Sequence, residues 1–445
     1  MVFPTPSDDS IDTEALTAHF DLAPRPRTLE ETGLPYNLVI DLLLKHLFAA
    51  GAQTLGQLAK RTALAGNILE SLLNDLRRDA QIEVLGSTGE GVRYLLTDRG
   101  RSSNADALAR SAYIGPAPVP LRHYERLVQA QSVHDCVITR EAAHEHFKNI
   151  VIRPELLDQL GPALHSGRAI FVYGTSGTGK TYIIQRLTRL LSDSVLIPHA
   201  ITLGDAIVPV FDPVLHRLNQ DDNDRSLLLE QGYDPRLQRC HRPIVSTGGE
   251  LTLDMLELQQ DPTTHYYQAP LQLKANNGIF IIDDLGRQRA PTVNLLNRWI
   301  VPMEEKRDHL GLGSGLHYPV PFDLVLVFST NMNPLDLADE AFLRRLGYKI
   351  RFDPLSREHY SQIWEQVCAE RGIECEPEVL PYVLTHLHAV RQIPLLPCHP
   401  RDLLTLALDQ CHYLGEPSIV TIKRIRWAWD NYFVRIADAD EHLTV

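Results

Sequence analysis

Eight consecutive residues, Gly174, Thr175, Ser176, Gly177, Thr178, Gly179, Lys180 and Thr181, follow the pattern G-x-x-x-x-G-K-[ST]. An apolar run from Ala169 to Tyr173 leads in, and Tyr182 to Leu187 reads as a helix leading out. Strand, glycine-rich turn and helix in that order make an anion site. Glycine lets successive backbone N–H groups converge on one anion, and the helix N-terminus adds its partial positive charge. In such a loop the Lys180 ammonium neutralises β- and γ-phosphates and the Thr181 hydroxyl ligates Mg²⁺. All eight residues are therefore candidate nucleotide contacts.

A second group of acids supports the first. Ile279 to Ile282 is a continuous apolar run that ends in Asp283 and Asp284. Carboxylates at the end of a buried strand are costly unless they meet a cation or hydrogen-bond donors. Asp283 suits Mg²⁺ coordination through the ion's water shell, and Asp284 suits polarisation of an attacking water. Other chemistry is poorly supported. Cys240-His241, Cys398-His399 and Cys411-His412 are adjacent pairs, a spacing that rarely directs two ligands to one ion. The six cysteines form no C-x-x-C pair and suggest no disulfide frame.

The elements that must position these residues alternate strand-like runs with helices from Ile150, which reads as α/β. Ala169–Tyr173, Ile279–Ile282 and Leu324–Phe328 are wholly apolar, as strands covered on both faces of a parallel sheet must be. After Pro354 only helical patterns are expected. Upstream, Leu38, Leu42, Leu43 and Leu47 fall at helical spacing, a short helix follows Thr54, and Ile68, Leu72, Leu73 and Leu76 share the face of a third. Two short strands around Gly86 to Gly91 then predict a hairpin. Three helices and a hairpin resemble a winged helix-turn-helix over roughly residues 34–101. The expected organisation is a flexible tail over 1–30, a winged-helix-like domain over 31–111 and a connector over 112–149. An α/β domain with a P-loop parallel sheet flanked by helices follows over 150–354, then a helical lid over 355–436 and a tail over 437–445.

A chain of 445 residues has room for two or three such domains, and its net charge of −13 argues against broad, nonspecific nucleic-acid binding. Met1 to Glu14 lacks the basic start and apolar core of a secretory signal, and Tyr36 to Ala52 is interrupted by Asp41 and Lys45. A cytoplasmic protein without membrane insertion is expected.

Taken in order, the motifs resemble those of the AAA+ ATPases over about residues 150–415. The phosphate loop (Walker A) and acidic strand end (Walker B) come first. Phe328-Ser329-Thr330-Asn331 then ends a strand with a polar residue, as a sensor-1 strand does. Asp339 to Arg345 is similar to a helix that presents arginine fingers, and His399-Pro400-Arg401 looks like a sensor-2 helix. Met303 to Arg307, the glycine-rich Leu310 to His317 and Pro321 to Leu324 fit the layout of MoxR-like members, which carry a hairpin before sensor 1. The resemblance implies ATP and Mg²⁺ as cofactors and ATP hydrolysis in a homo-oligomeric ring, most simply a hexamer. It assigns Asn331 to the water or γ-phosphate, Arg344 and Arg345 to the neighbour's nucleotide, and Arg401 to the phosphates from the lid. One departure is Asp284 where the family usually has Glu; its carboxylate is one methylene shorter, so slow turnover is expected.

Residues 188–278 exceed what a bare strand-helix unit needs. Thr247 to Met255 and Tyr266-Tyr267 are expected in an insert that either faces a client or simply elaborates the surface. Between Leu34 and Ser111 there are nine Lys/Arg and eight Asp/Glu, so the N-terminal module has no strongly basic face for phosphate contacts. Remodelling of a protein client is the leading expectation. The alternatives are an ATP-regulated DNA-binding protein, reading DNA through Arg77, Arg78, Arg93, Arg99 and Arg101, and a nucleotide-dependent scaffold.

Overall fold

A computed structural model describes residues 22–88, 91–219, 234–313 and 315–433 of the chain. The tail expected over 437–445, the first 21 residues of the one expected over 1–30, and the tip of the first hairpin at 89–90 lie outside the described residues. The remainder of the N-terminal stretch is packed. Ala23 is buried beside Val119, Leu127, Leu196 and Leu237, and Leu29–Thr32 is a helical turn capped by Thr28.

The N-terminal module contains the three expected helices, Tyr36–Ala50, Leu55–Thr62 and Gly66–Arg78. Thr54 and Gln57 form a reciprocal capping box that starts the second. Leu42, Leu43, Leu47, Leu58, Leu69 and Leu73 are all at most 1% exposed, each contributing about 1.5–3 kcal/mol by burial. The hairpin of β2 (Ile82–Thr88) and β3 (Gly91–Leu96) gains a third antiparallel strand, β1 (Gln53–Thr54), and a fourth helix, Asp98–Arg110. Neither was legible: β1 has two residues, and the helix has little apolar surface to mark it.

Residues 112–149 are folded against their neighbours. β4 (Val119–Pro120) pairs with a strand far downstream, and the helices Leu121–Ala130 and Arg140–Phe147 follow. Ala143 and Phe147 are buried in the same cluster as Leu157 and Leu160 of the helix Pro154–His165.

The central sheet has five strands. β5 (Ile170–Tyr173) leads to the phosphate loop and the helix Lys180–Leu187. Residues 194–241 then supply β6 (Ser194–Pro198), β7 (Ala200–Leu203), β8 (Ala206–Pro209) and β9 (Leu237–His241), outside the central sheet. Next come β10 (Ile244–Thr247), the small hairpin of β11 (Gln259–Gln260) and β12 (Tyr267–Gln268), and β13 (Ile279–Ile282). After the helix Thr292–Glu305, β14 (Arg307–Gly311) and β15 (His317–Pro321) form an antiparallel hairpin. β16 (Val325–Thr330), the helix Glu340–Arg345 and β17 (Tyr348–Arg351) complete the layer. The order is β10-β13-β16-β5-β17, all parallel.

Side chains alternate between two cores, as the pleat requires. Phe171, Phe280, Ile282 and Phe328 pack under Trp299, while Val172, Ile281 and Val327 pack under Ile183 and Ile184. The three strands read from the sequence are the three interior ones. β10 and β17 are its edges, so Ile244-Val245-Ser246-Thr247 and Tyr348-Lys349-Ile350-Arg351 mix polar and apolar residues and escape an apolar-run criterion. This corrects the placement of Thr247 in an insert: it ends an edge strand of the core sheet, and its carbonyl accepts from the Asp283 N–H.

The segment β6–β9 binds the N-terminal module to the sheet. β6 pairs with β9, β7 with both β8 and β4, and Ala200 and Ile207 enter the module's own core. At its centre Arg236 is buried against Asp234 at 2.9 Å and donates to the carbonyls of Thr32 and Pro118.

The C-terminal region is mostly helical: Arg357–Arg371, a π-helical stretch at Val383–His388, Cys398–Leu414 and Ile422–Tyr432 pack around Tyr360, Trp364 and Trp429. Against the expectation of helices alone, β18 (Glu374–Cys375) and β19 (Ile419–Val420) form a short parallel pair. Two residues per strand are too few to show a period of two.

Arg236→Met strips the buried Asp234 of its partner and leaves two carbonyls without a donor. Breaking a buried pair in this way should cost about 3–5 kcal/mol, read as a lower urea midpoint for the transition that separates the N-terminal module.

Candidate nucleotide site

The phosphate loop leaves the C-terminal end of β5 with Gly174 at φ +150°, Gly177 at +84° and Gly179 at +83°. A Cβ at Gly174 would lie 2.3 Å from the Phe352 carbonyl oxygen, and one at Gly177 2.6 Å from Cys398 Sγ. Gly179 caps the helix Lys180–Leu187 from a left-handed conformation. These positions demand glycine by backbone conformation and, at two of them, by close approach. Thr178 closes the turn with its hydroxyl on the Thr175 carbonyl at 2.9 Å.

Lys180 is 6% exposed and its ammonium donates to Gly174 O at 2.8 Å, Thr175 O at 3.0 Å and Asn331 Oδ1 at 2.6 Å. Burial holds its pKa below the ordinary lysine value, and Asp283 and Asp284 pull it partly back. Asn331 uses both ends of its amide: Nδ2 donates to Asp284 Oδ1 at 2.8 Å. Thr181 Oγ1 donates to Asp283 Oδ2 at 2.6 Å. The expected loop lysine and threonine, both acids and the strand-end asparagine are thus in one hydrogen-bonded set.

Asp284 takes φ +49°, a left-handed conformation that costs a non-glycine residue about 1–2 kcal/mol. Its neighbours hold it there. Leu285 N–H donates to Ser329 O, Leu285 O accepts from the Thr330 hydroxyl, and Gln288 Nε2 donates to the carbonyls of Asp283 and Asp284. Sequence reasoning missed Thr330 and Gln288. Both act on backbone carbonyls, a role any polar residue can fill, so no pattern marks them.

The C-terminal helical region packs against the loop. Leu396 and Cys398 meet Gly177, and Pro397 lies 3.9 Å from a Cβ built at Gly179. Arg401 is exposed on the first turn of the helix Cys398–Leu414, and its guanidinium has no hydrogen bond or ion pair among the described residues.

Arg344 and Arg345 lie elsewhere. They border a cavity of about 470 Å³ that Gly167, Arg168 and Ala169 also line, at the N-terminal end of β5, whereas the phosphate loop leaves its C-terminal end. Arg345 pairs with Glu304 at 2.5 Å, and the exposed Arg344 pairs with Glu340 at 3.4 Å. Lys306 and Lys349 add two more cations to that cavity.

The residues present fit Mg²⁺ and a nucleoside triphosphate. One lysine faces two carboxylates, a charge balance that suits a divalent cation beside Thr181 and Asp283. The three glycine conformations make a cradle that a Cβ would fill.

The profile of a domain of unknown function, DUF8689, matches residues 356–431, within the C-terminal helical region. No curated protein matches the chain. Among solved structures the chain is similar to NtrX from Brucella abortus, at 14% identity and a TM-score of 0.39 over 68% of this chain and 60% of that one. It therefore spans about three-fifths of the NtrX chain. It is also similar to the Thermotoga maritima RuvB Holliday junction branch migration motor, at 12% identity over 62% of this chain and 68% of that one, TM-score 0.35. Domain III of the Thermotoga maritima replication initiation protein DnaA is 15% identical over 67% of this chain and 99% of that one, TM-score 0.35.

Gly177→Ala places a methyl group against Cys398 in a conformation that alanine resists. The loop must shift to relieve it, and ATP affinity should fall about tenfold or more, measured by titration with a fluorescent ATP analogue.

Proposed function

We propose that this chain is an AAA+-type ATP hydrolase that assembles head-to-tail into a ring and remodels a protein client. The observation that carries the reading is the side-chain network from Lys180 through Asn331 to Asp284, set beside the Thr181–Asp283 bond. Such a network makes the phosphate loop, the acidic strand end and the polar strand end one unit. Lys180 exchanges its carbonyl acceptors for phosphate oxygens when nucleotide enters. Asn331, no longer bridging, orients a water, and the Asp284 carboxylate accepts that water's proton. Thr181 and Asp283 are the residues that would hold Mg²⁺, which would supply electrostatic stabilisation of charge on the phosphates. Arg401, unpaired on the lid turn that meets Gly177, is assigned to the phosphates from above.

Arg344 and Arg345 are too far along the sheet to serve their own loop, which supports a role on the nucleotide of an adjacent subunit. A head-to-tail interface of that kind closes into a ring, here proposed as a hexamer. The β14–β15 hairpin ahead of β16 supports a MoxR-like arrangement, with an AAA+ domain over 150–354 and a lid over 355–436. The N-terminal module, with its three helices and three-stranded sheet, is assigned as a winged-helix-like docking domain for the client. Its third helix carries Glu70 and Asp75 and ends at Asp79, against Arg77 and Arg78, and Asp75 engages Arg78 and Tyr36, so the helix offers no net positive face to DNA phosphates.

Asp284→Asn should spare ATP binding and slow hydrolysis by about 10²–10⁴-fold, as a colorimetric phosphate assay beside a binding titration will show.

Arg345→Ala should cost about 10³–10⁵ in turnover if the arginine acts in trans. Mixing it with Lys180→Ala, which cannot bind ATP, should restore part of the activity, because one interface then has both an intact finger and an intact loop. Light scattering should show mass growth toward a hexamer with ATP. A chain that stays monomeric and shows no rescue overturns the ring.

A further inference from the structure

The lid contains a pair of cysteines that the nucleotide chemistry does not use. Cys368 lies in the last turns of the helix Arg357–Arg371 and Cys375 in β18, and their sulfurs are 3.6 Å apart. Both are partly exposed. No other two of the six cysteines make such a contact among the described residues.

The backbone holds this proximity from both sides. Gly372 ends the helix in a left-handed conformation at φ +63°, and the Ile373 N–H returns to the Cys368 carbonyl at 2.9 Å. The chain therefore doubles back over the helix end. Cys375 is then pinned in register with Val420 of β19, which is fully buried in the lid core. Neither cysteine can drift far from the other without breaking the helix cap or the strand pair. A disulfide requires the sulfurs to close from 3.6 Å to about 2 Å.

We propose that Cys368 and Cys375 form a redox-active dithiol, a modification site whose reaction partner is a low-molecular-weight disulfide. The Cys368 thiolate attacks one sulfur of the small disulfide, breaks its S–S bond and expels one small thiolate, leaving a mixed disulfide on Cys368. The Cys375 sulfur gives up its proton, attacks the Cys368 sulfur and expels the second small thiolate, which takes up a proton. In sum the protein dithiol is oxidised to an internal disulfide and one small disulfide is reduced to two thiols. The order of attack follows from the contact between the sulfurs. The two sulfurs lie within hydrogen-bond reach of each other, and that contact holds the Cys368 pKa below the ordinary thiol value and that of Cys375 above it. Cys368 is therefore the more ready nucleophile and Cys375 the resolving partner.

The reaction links the end of the helix Arg357–Arg371 to the β18–β19 pair. Both belong to the lid core that also holds the helix Cys398–Leu414, whose first turn rests on the phosphate loop. Oxidation thus stiffens the part of the molecule that closes over Gly177.

The test uses the full chain, incubated with reduced and oxidised glutathione in varied ratio, trapped by alkylation and mapped by mass spectrometry without reduction. The expected result is one internal link between Cys368 and Cys375, reversed by dithiothreitol. In Cys375→Ser, Cys368 should instead accumulate a glutathione adduct that the unmodified chain does not retain. Free alkylation of both thiols at every ratio overturns the proposal, as does linkage of either cysteine to another chain. A glutathione adduct on Cys368 that persists while Cys375 is intact overturns it as well.

Discussion

A buried ammonium cannot be left without acceptors, and Lys180 finds its three on two different parts of the fold. Two are carbonyls of its own loop, and the third is the amide of Asn331 at the end of β16. That third bond depends on β16 lying beside β5, which the parallel register from Val327–Ile170 to Thr330–Tyr173 secures. Asn331 then reaches Asp284 because β13 flanks β16 on the other side, with Ile282 opposite Phe328. The site is therefore a consequence of strand order. Any other neighbour for β5 would leave the ammonium with only the two carbonyls of its own loop.

Strand order in turn rests on covering a parallel sheet on both faces. Phe280 and Phe328 on one side and Ile281 and Val327 on the other are buried under helices that include Thr292–Glu305 and Lys180–Leu187. The N-terminal module is attached to this layer by burial, through Ala200 and Ile207, and by the Arg236 guanidinium shared between Thr32 and Pro118.

Much of the site was legible because its chemistry is local. The eight residues from Gly174 to Thr181 are contiguous, and a run of four apolar residues before Asp283 announces a strand end. Less of the fold was legible where the signal needs length or two covered faces. The edge strands β10 and β17 carry Ser246, Lys349 and Arg351 where an interior strand has hydrocarbon, and β1, β18 and β19 have two residues each. Thr330 and Gln288 hold the Asp284 turn by bonding main-chain carbonyls, a task that leaves no signature in residue type.

By itself the sequence determined that a glycine-rich turn stands between a strand and a helix, that acids end a second buried strand, and that a leucine-rich helical module precedes both. Glycine torsions, apolar periodicity and capping act over a few residues, and the chain spells them out. Only the tertiary structure decided that Asn331 bridges Lys180 and Asp284, which lie 151 and 47 residues from it. It alone decided that Arg344 and Arg345 stand at the opposite end of β5 from the loop, that Cys398 rests on Gly177, and that Cys368 meets Cys375. Each of these depends on how far-apart segments pack, and a hydrogen bond or close approach between such segments exists only once the layers between them have been assembled.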